Sequence, residues 1–226
     1  MLLEGKNAVV YGGGGKIGSA VARAFAREGA RVFLAGRTLA LLDTVAGEIS
    51  AGGGRVETAL VDALDQASVE EHADAVIGAV GSIDVSFNAI SIRGDLQGTP
   101  LIDVTVEDFG IPISTGNTAH FLIVRAAGRR MARRGSGVIL TLSTPASALS
   151  GHDRRIHHTG VLGPACATIL ELTKQLAGEL GTQGVRAVCL MPAQSQRSGR
   201  PIWRKASRSR TRTARRAYTH EGRSPT

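Results

Sequence analysis

Apolar and polar residues alternate along this chain in two recurring rhythms. Residues 7–11, Asn-Ala-Val-Val-Tyr, form a short apolar run with the character of a buried strand. Beyond a glycine-rich turn, Ile17, Ala20, Val21, Ala24 and Phe25 recur at helical spacing, with Arg23, Arg27 and Glu28 on the other face, and Gly29 closes the helix. The same exchange repeats. Residues 31–35 predict a second strand, 39–50 a helix, 56–61 a strand, 66–80 a helix and 83–87 a fourth strand. Residues 91–112 read as a loop, punctuated by Gly94, Gly98, Pro100 and Pro112. A long helix is predicted over 114–134, a strand over 137–142, an irregular stretch over 145–161, a helix over 162–180 and a strand over 185–191, stopped by Pro192.

Strands separated by helices imply right-handed crossovers and a parallel sheet. The predicted fold class is therefore α/β, a doubly wound, Rossmann-like parallel sheet in a single domain over residues 1–196. Ligands of such sheets bind at the carboxyl ends of the strands. The stretch Val9-Val10-Tyr11-Gly12-Gly13-Gly14-Gly15-Lys16-Ile17-Gly18 runs from strand through glycines into helix. A loop without Cβ atoms admits a pyrophosphate, and the helix behind it offers free N–H groups and the positive end of its dipole. Gly12, Gly15, Lys16, Ile17 and Gly18 are accordingly the first candidate ligand residues. Arg37, Asp62, Asn88 and Ala89 join them, because each falls at or just after a strand end.

Composition changes this picture at one point. The 226 residues carry a formal net charge of +8, but residues 197–226 contribute +9 and residues 1–196 contribute −1. The basic excess belongs to an Arg/Ser/Thr-rich tail that cannot bury enough apolar surface to offset chain entropy, so 197–226 is expected to be disordered. It reads as an arm for nucleic acid or another anionic surface, as a plain solvated tail, or as a departure from the ancestral carboxyl terminus, for instance after a change of reading frame. The last fits the abrupt break best. Cys166 and Cys189 are too few for a disulfide framework, no run approaches membrane-span length, and residues 1–6 lack the features of a secretory signal. A cytoplasmic protein with no metal site is expected.

Over residues 4–196 the chain resembles the short-chain dehydrogenase/reductase family. The glycine loop is similar to the family's T-G-x-x-x-G-x-G, with Lys16 at the middle glycine and Gly12, Gly15 and Gly18 in the variant spacing G-x-x-G-x-x-G. Asn88-Ala89-Ile90 stands where the family has N-N-A-G. The resemblance implies a nicotinamide dinucleotide, with Asp62 at the adenine. Arg37 stands where an acid would select NAD, and a guanidinium suits a 2′-phosphate, so NADP is expected over NAD.

The family's chemistry uses a Tyr, a Lys four residues on, a Ser and an Asn. Ser143-Thr144 follows the fifth strand, with Thr144 at the usual Ser position. Asn117 lies one residue past the Asn offset, which falls on Gly116. No Tyr/Lys pair is found, because the tyrosines are Tyr11 and Tyr218. Aligning back from Leu176-Ala177-Gly178-Glu179-Leu180 puts Leu162 and Cys166 at those positions, whereas counting forward from Thr144 puts His157 and Val161 there. His157 or His158 could in principle replace the Tyr, since imidazole titrates near neutrality. After Pro192-Ala193 the family's substrate-covering loop, helix and last strand are replaced by the basic tail, which leaves a sheet edge open.

The resemblance thus implies an oxidoreductase moving a hydride to or from a small carbonyl or alcohol, with its catalysis impaired. The alternatives are a non-catalytic NADP-binding protein of the same fold and a binder of nucleic acid or anionic surfaces through the tail. Expected partners are a nicotinamide dinucleotide and a small-molecule substrate, with a homo-oligomer possible. A membrane is not expected, and the charge balance of residues 1–196 argues against nucleic acid.

Overall fold

The computed structural model describes residues 1–92, 94, 97–145 and 158–192, and residues 1–192 belong to one unit. His157 and the 197–226 tail lie outside the described residues. Six strands form one parallel sheet in the order β3-β2-β1-β4-β5-β6. They are β1 (Asn7–Tyr11), β2 (Arg31–Gly36), β3 (Arg55–Leu60), β4 (Val85–Asn88), β5 (Gly137–Leu142) and β6 (Val185–Leu190). The first three step outward in one direction, and β4 then returns to pair with the other side of β1. This places a switch point between β1 and β4, where ligands of doubly wound sheets bind. Among the described residues no strand pairs outside β6.

Strand alternation divides the core into two layers. Ala8, Val10, Val32, Leu34, Val85 and Phe87 face α1 (Lys16–Arg27) and α2 (Leu39–Ala51). Val9, Tyr11, Phe33, Ala35 and Ile139 face α3 (Gln66–Val80) and α5 (Thr118–Arg134), with Leu172, Leu176 and Leu180 of α6 (Leu162–Gly181) packed against the same layer. Several of these side chains are wholly buried, as the near-continuous apolar runs of the central strands require.

The segment read as a loop over 91–112 is partly helical. A 3₁₀ turn, Leu101–Asp103, precedes α4 (Val106–Ile111), which is capped by the Thr105 hydroxyl accepting from the Asp108 amide at 3.1 Å. A π-helical turn, Pro112–Asn117, then leads directly into α5. Two things hid this helix. Six residues show too little periodicity, and Pro112 reads as a breaker. A π turn widens the helix, so a proline that would interrupt an α-helix is carried at its start. The predicted start of the next helix, residue 114, accordingly falls inside the π turn.

Buried charge ties the helical layer together. The Arg130 side chain on α5 is only 6% exposed and pairs with Glu70 and Asp74 on α3. Burial disfavours its charge, but hydrogen bonds with both carboxylates outweigh that and raise its pKa. Asp84 accepts from the Asn7 amide at 2.9 Å and from Arg134 at 2.8 Å. Burial opposes its ionisation, yet these bonds and the Lys6 charge hold its pKa below the usual value. Tyr11 is buried with its hydroxyl 3.3 Å from Nδ1 of His72 on α3, and burial pushes the phenol well above its ordinary pKa.

Arg130→Met is expected to cost about 2–3 kcal/mol in urea denaturation, because it leaves the carboxylates of α3 without their main partner. A loss under about 0.5 kcal/mol would show the pair to be energetically idle. Desolvation lowers the pKa of His72 and of His120 to about 4. Both rings are neutral in the fold but take up a proton near pH 6.5 when unfolded. Their contribution is therefore complete above about pH 6.5 and is lost as pH falls toward 4. Between pH 7.5 and 5 stability should drop by about 2 kcal/mol per histidine. A flat profile across that window would contradict the assignment.

Candidate functional site

The glycine loop is built against the backbones of two neighbouring strands. The amides of Gly12 and Gly13 both donate to the Ala35 carbonyl at the end of β2, at 2.8 and 3.2 Å. Gly12 has φ of +75°, and a Cβ there would sit 2.9 Å from the Ala89 carbonyl oxygen after β4. A side chain at Gly18 would collide with the Gly12 carbonyl. Both positions therefore demand glycine, one for conformation and contact, the other for contact alone. Gly15 caps α1, whose first turn carries no acidic residue. The exposed Lys16 and the half-exposed Ile17 open that helix, so its amino end presents N–H groups, a dipole and a cation together.

A groove of about 490 Å³ crosses the carboxyl ends of the strands beside this loop. Of the residues expected from the sequence, Gly12, Gly15, Arg37, Asp62 and Ala89 line it. Lys16, Ile17 and Gly18, in the first turn of α1, are not among the residues that line it. Arg37 and Asp62 also share an adjoining hollow of about 310 Å³ with Ser68. Asp62 is oriented by the Leu64 amide, which donates to its Oδ1 at 3.0 Å, and the Asp62 amide donates to the Ser68 hydroxyl at 3.2 Å. Asn88 sits differently. It is 1% exposed, is not among the groove-lining residues and accepts from the Ile90 amide at 3.0 Å, while its own Nδ2 has no partner among the described residues.

The far wall of the groove comes from residues the sequence did not single out for it. Ile111, Thr115, Gly116 and Ala119 supply it from α4, the π turn and α5. A Cβ on Gly116 would meet the Ile92 side chain at 2.8 Å, so this glycine lets the helix approach the segment after β4. The small residues at 115, 116 and 119 were the available signal. His120, in the next position, is fully buried and bonded through Nε2 to the Ile90 carbonyl at 3.1 Å.

The hydroxyl pair after β5 lies against α6. Ser143 is buried and donates to the Cys166 carbonyl at 3.1 Å, while the exposed Thr144 has its hydroxyl 3.4 Å from the Cys166 sulfur. Asn117 is 9% exposed, and neither atom of its amide has a hydrogen-bond partner among the described residues. Leu162 and Cys166 occupy the first turns of α6. Tyr11, the one tyrosine among the described residues, points to His72 and not into the groove. Among the described residues no cluster of acids, histidines and cysteines could hold a metal ion, and no helix is long and apolar enough to cross a membrane.

The donor set and the glycine cradle fit a dinucleotide pyrophosphate, and comparison with known proteins agrees. A family model described as enoyl-(acyl carrier protein) reductase matches residues 14–218. The chain is 34% identical to an L-rhamnose 1-dehydrogenase (NAD(P)(+)) of Azotobacter vinelandii, over 85% of this chain and 74% of that protein. It is 27% identical to a D-threitol dehydrogenase of Mycolicibacterium smegmatis, over 84% of this chain and 70% of that protein. A metagenomic short-chain oxidoreductase solved in complex with NADP superposes with a TM-score of 0.75 at 28% identity, covering 85% of this chain and 84% of that one. With its parallel sheet, its glycine cradle and these relatives, the chain belongs to the short-chain dehydrogenase/reductase family.

Proposed function

We propose that this chain binds a nicotinamide dinucleotide across the groove, prefers NADP, and transfers hydride poorly to or from a small carbonyl or alcohol. The observation that carries the reading is the glycine cradle of Gly12 and Gly18, which opens onto a groove ending at Arg37. The guanidinium suits a 2′-phosphate, and Asp62, free at one carboxylate oxygen, suits the adenine edge. The relative crystallised with NADP supports this choice. The names of the sugar and polyol dehydrogenases among the relatives suggest a hydroxylated substrate.

The impairment rests on side chains. The contacts of Cys166 with Ser143 and Thr144 support the register that puts Leu162 and Cys166 where the family has its Tyr and Lys. Neither supplies the proton exchange of a phenol beside an ammonium. Ser143, Thr144 and Asn117 remain as polar groups that could orient a substrate, and His157 remains a candidate acid/base from outside the described residues. A second reading, a cofactor-binding protein without turnover, is favoured by the same missing pair.

Titration of NADPH fluorescence together with a turnover assay on a panel of sugars, polyols and small ketones separates these readings. Tight binding with turnover far below that of a Tyr/Lys-bearing relative is expected. Efficient turnover would overturn the impairment, and its loss in His157→Ala would identify the replacement. Arg37→Ala should weaken NADPH about 10- to 100-fold while leaving NADH nearly unchanged. An unchanged ratio of the two would rule out NADP selection by Arg37.

A further inference from the structure

The β4 ladder ends at Asn88, which pairs with Tyr11 on one side and Thr141 on the other. Beyond it, Ala89 and Ile90 line the groove, where side chains take over the hydrogen bonding of the backbone. The Ala89 amide still reaches the Tyr11 carbonyl at 2.9 Å. At Ile90 both backbone groups are held by side chains. Its N–H donates to Asn88 Oδ1 at 3.0 Å, and its carbonyl is bonded by His120 Nε2 at 3.1 Å. His120 is 0% exposed, and its Nδ1 has no partner among the described residues. Burial keeps the ring neutral, so the single ring proton sits on Nε2 and donates to Ile90.

Sheet order converts this bond into a functional assignment. Arg37 follows β2, Asp62 follows β3 and the glycine loop follows β1, whereas Ala89 and Ile90 follow β4 on the far side of β1. A dinucleotide with its adenosine at Arg37 and Asp62 and its pyrophosphate at the loop lays its other nucleoside over β4. We propose that His120 is a positioning residue for that second nucleoside: by holding the Ile90 carbonyl, it fixes the groove floor under the nicotinamide half and leaves the adenine half untouched. This rests on the dinucleotide reading of the groove.

The test compares two ligands. NADPH spans the whole groove, whereas adenosine 2′,5′-bisphosphate fills only the adenine end. His120→Leu removes the donor, and His120→Gln retains an N–H at similar reach. His120→Leu should weaken NADPH about ten-fold, the loss of about one hydrogen bond, and shift the bisphosphate by less than about two-fold. His120→Gln should bind both ligands within about three-fold of the unsubstituted protein. Equal losses for both ligands, an unchanged NADPH affinity in His120→Leu, or failure of Gln to restore binding would each overturn the assignment. Should His120→Leu not fold, the unsubstituted protein still decides. Long-range ¹⁵N spectra should show His120 protonated at Nε2, and an Nδ1-protonated ring would refute the bond. If the unsubstituted protein binds the bisphosphate but not NADPH, the positioning role falls alone. If it binds neither, the dinucleotide reading itself falls.

Discussion

Three backbones converge at Gly12, and the remainder of the site depends on that convergence. The β1 chain turns there with positive φ, the Ala89 carbonyl comes within contact of where a side chain would begin, and Gly18 of α1 closes over the Gly12 carbonyl. No residue with a Cβ satisfies all three demands. The loop can therefore lie flat across the strand ends, with its amides anchored on Ala35 and the amino end of α1 exposed to a ligand. A larger residue would lift α1 from the sheet and close the groove between the loop and β4.

Holding these backbones at contact distance is the work of the two layers beneath them. Ala8 and Val10 lock β1 onto α1 and α2, while Val9 and Tyr11 lock it onto the α3 and α5 side. Charge is used sparingly and at the margins of the sheet. Asp84 gathers the Asn7 amide, Lys6 and Arg134 near the amino ends of β1 and β4, and Arg130 clamps α5 to α3. At the strand ends that line the groove, Asp62 is held by the Leu64 amide and the Ser68 hydroxyl, with Arg37 lining the same hollow.

Much of this was legible in the sequence, and the exceptions have physical causes. The period of the apolar positions marked each strand and each long helix among the described residues, because buried strands and amphipathic helices must repeat. That Gly12, Arg37 and Asp62 would line a groove was legible because the carboxyl ends of strands in a parallel sheet meet at such a crevice. The helix α4 was not, since six residues and a proline leave no period to detect. Asn88 was assigned to the ligand, whereas the structure leaves it out of the groove lining, bonded to the Ile90 amide. A strand end fixes where a residue stands but not which face its side chain takes. His120 was passed over because a histidine inside a helical apolar stripe looks like core, and its partner, a carbonyl 30 residues away, is set only by the crossing of α5 over β4.

Binding and chemistry draw on different kinds of position in this fold. The loop side of the groove is made largely of backbone and glycine, with Arg37 and Asp62 adding side chains to its lining. In the register proposed above, the positions where the family carries its chemistry fall at the end of β5 and on the first turns of α6, and these are also packing positions. Cys166 is 2% exposed, with its carbonyl taken by Ser143 and its sulfur beside the Thr144 hydroxyl. A packed thiol meets the structural demand at that position as well as an ammonium does, and better where burial would penalise the charge. A missing proton-transfer pair at those positions would leave the sheet, the loop and the groove undisturbed. On physical grounds the proposed combination of a dinucleotide groove and a weakened catalytic end would be a self-consistent state of this fold, because the two halves are held by different contacts.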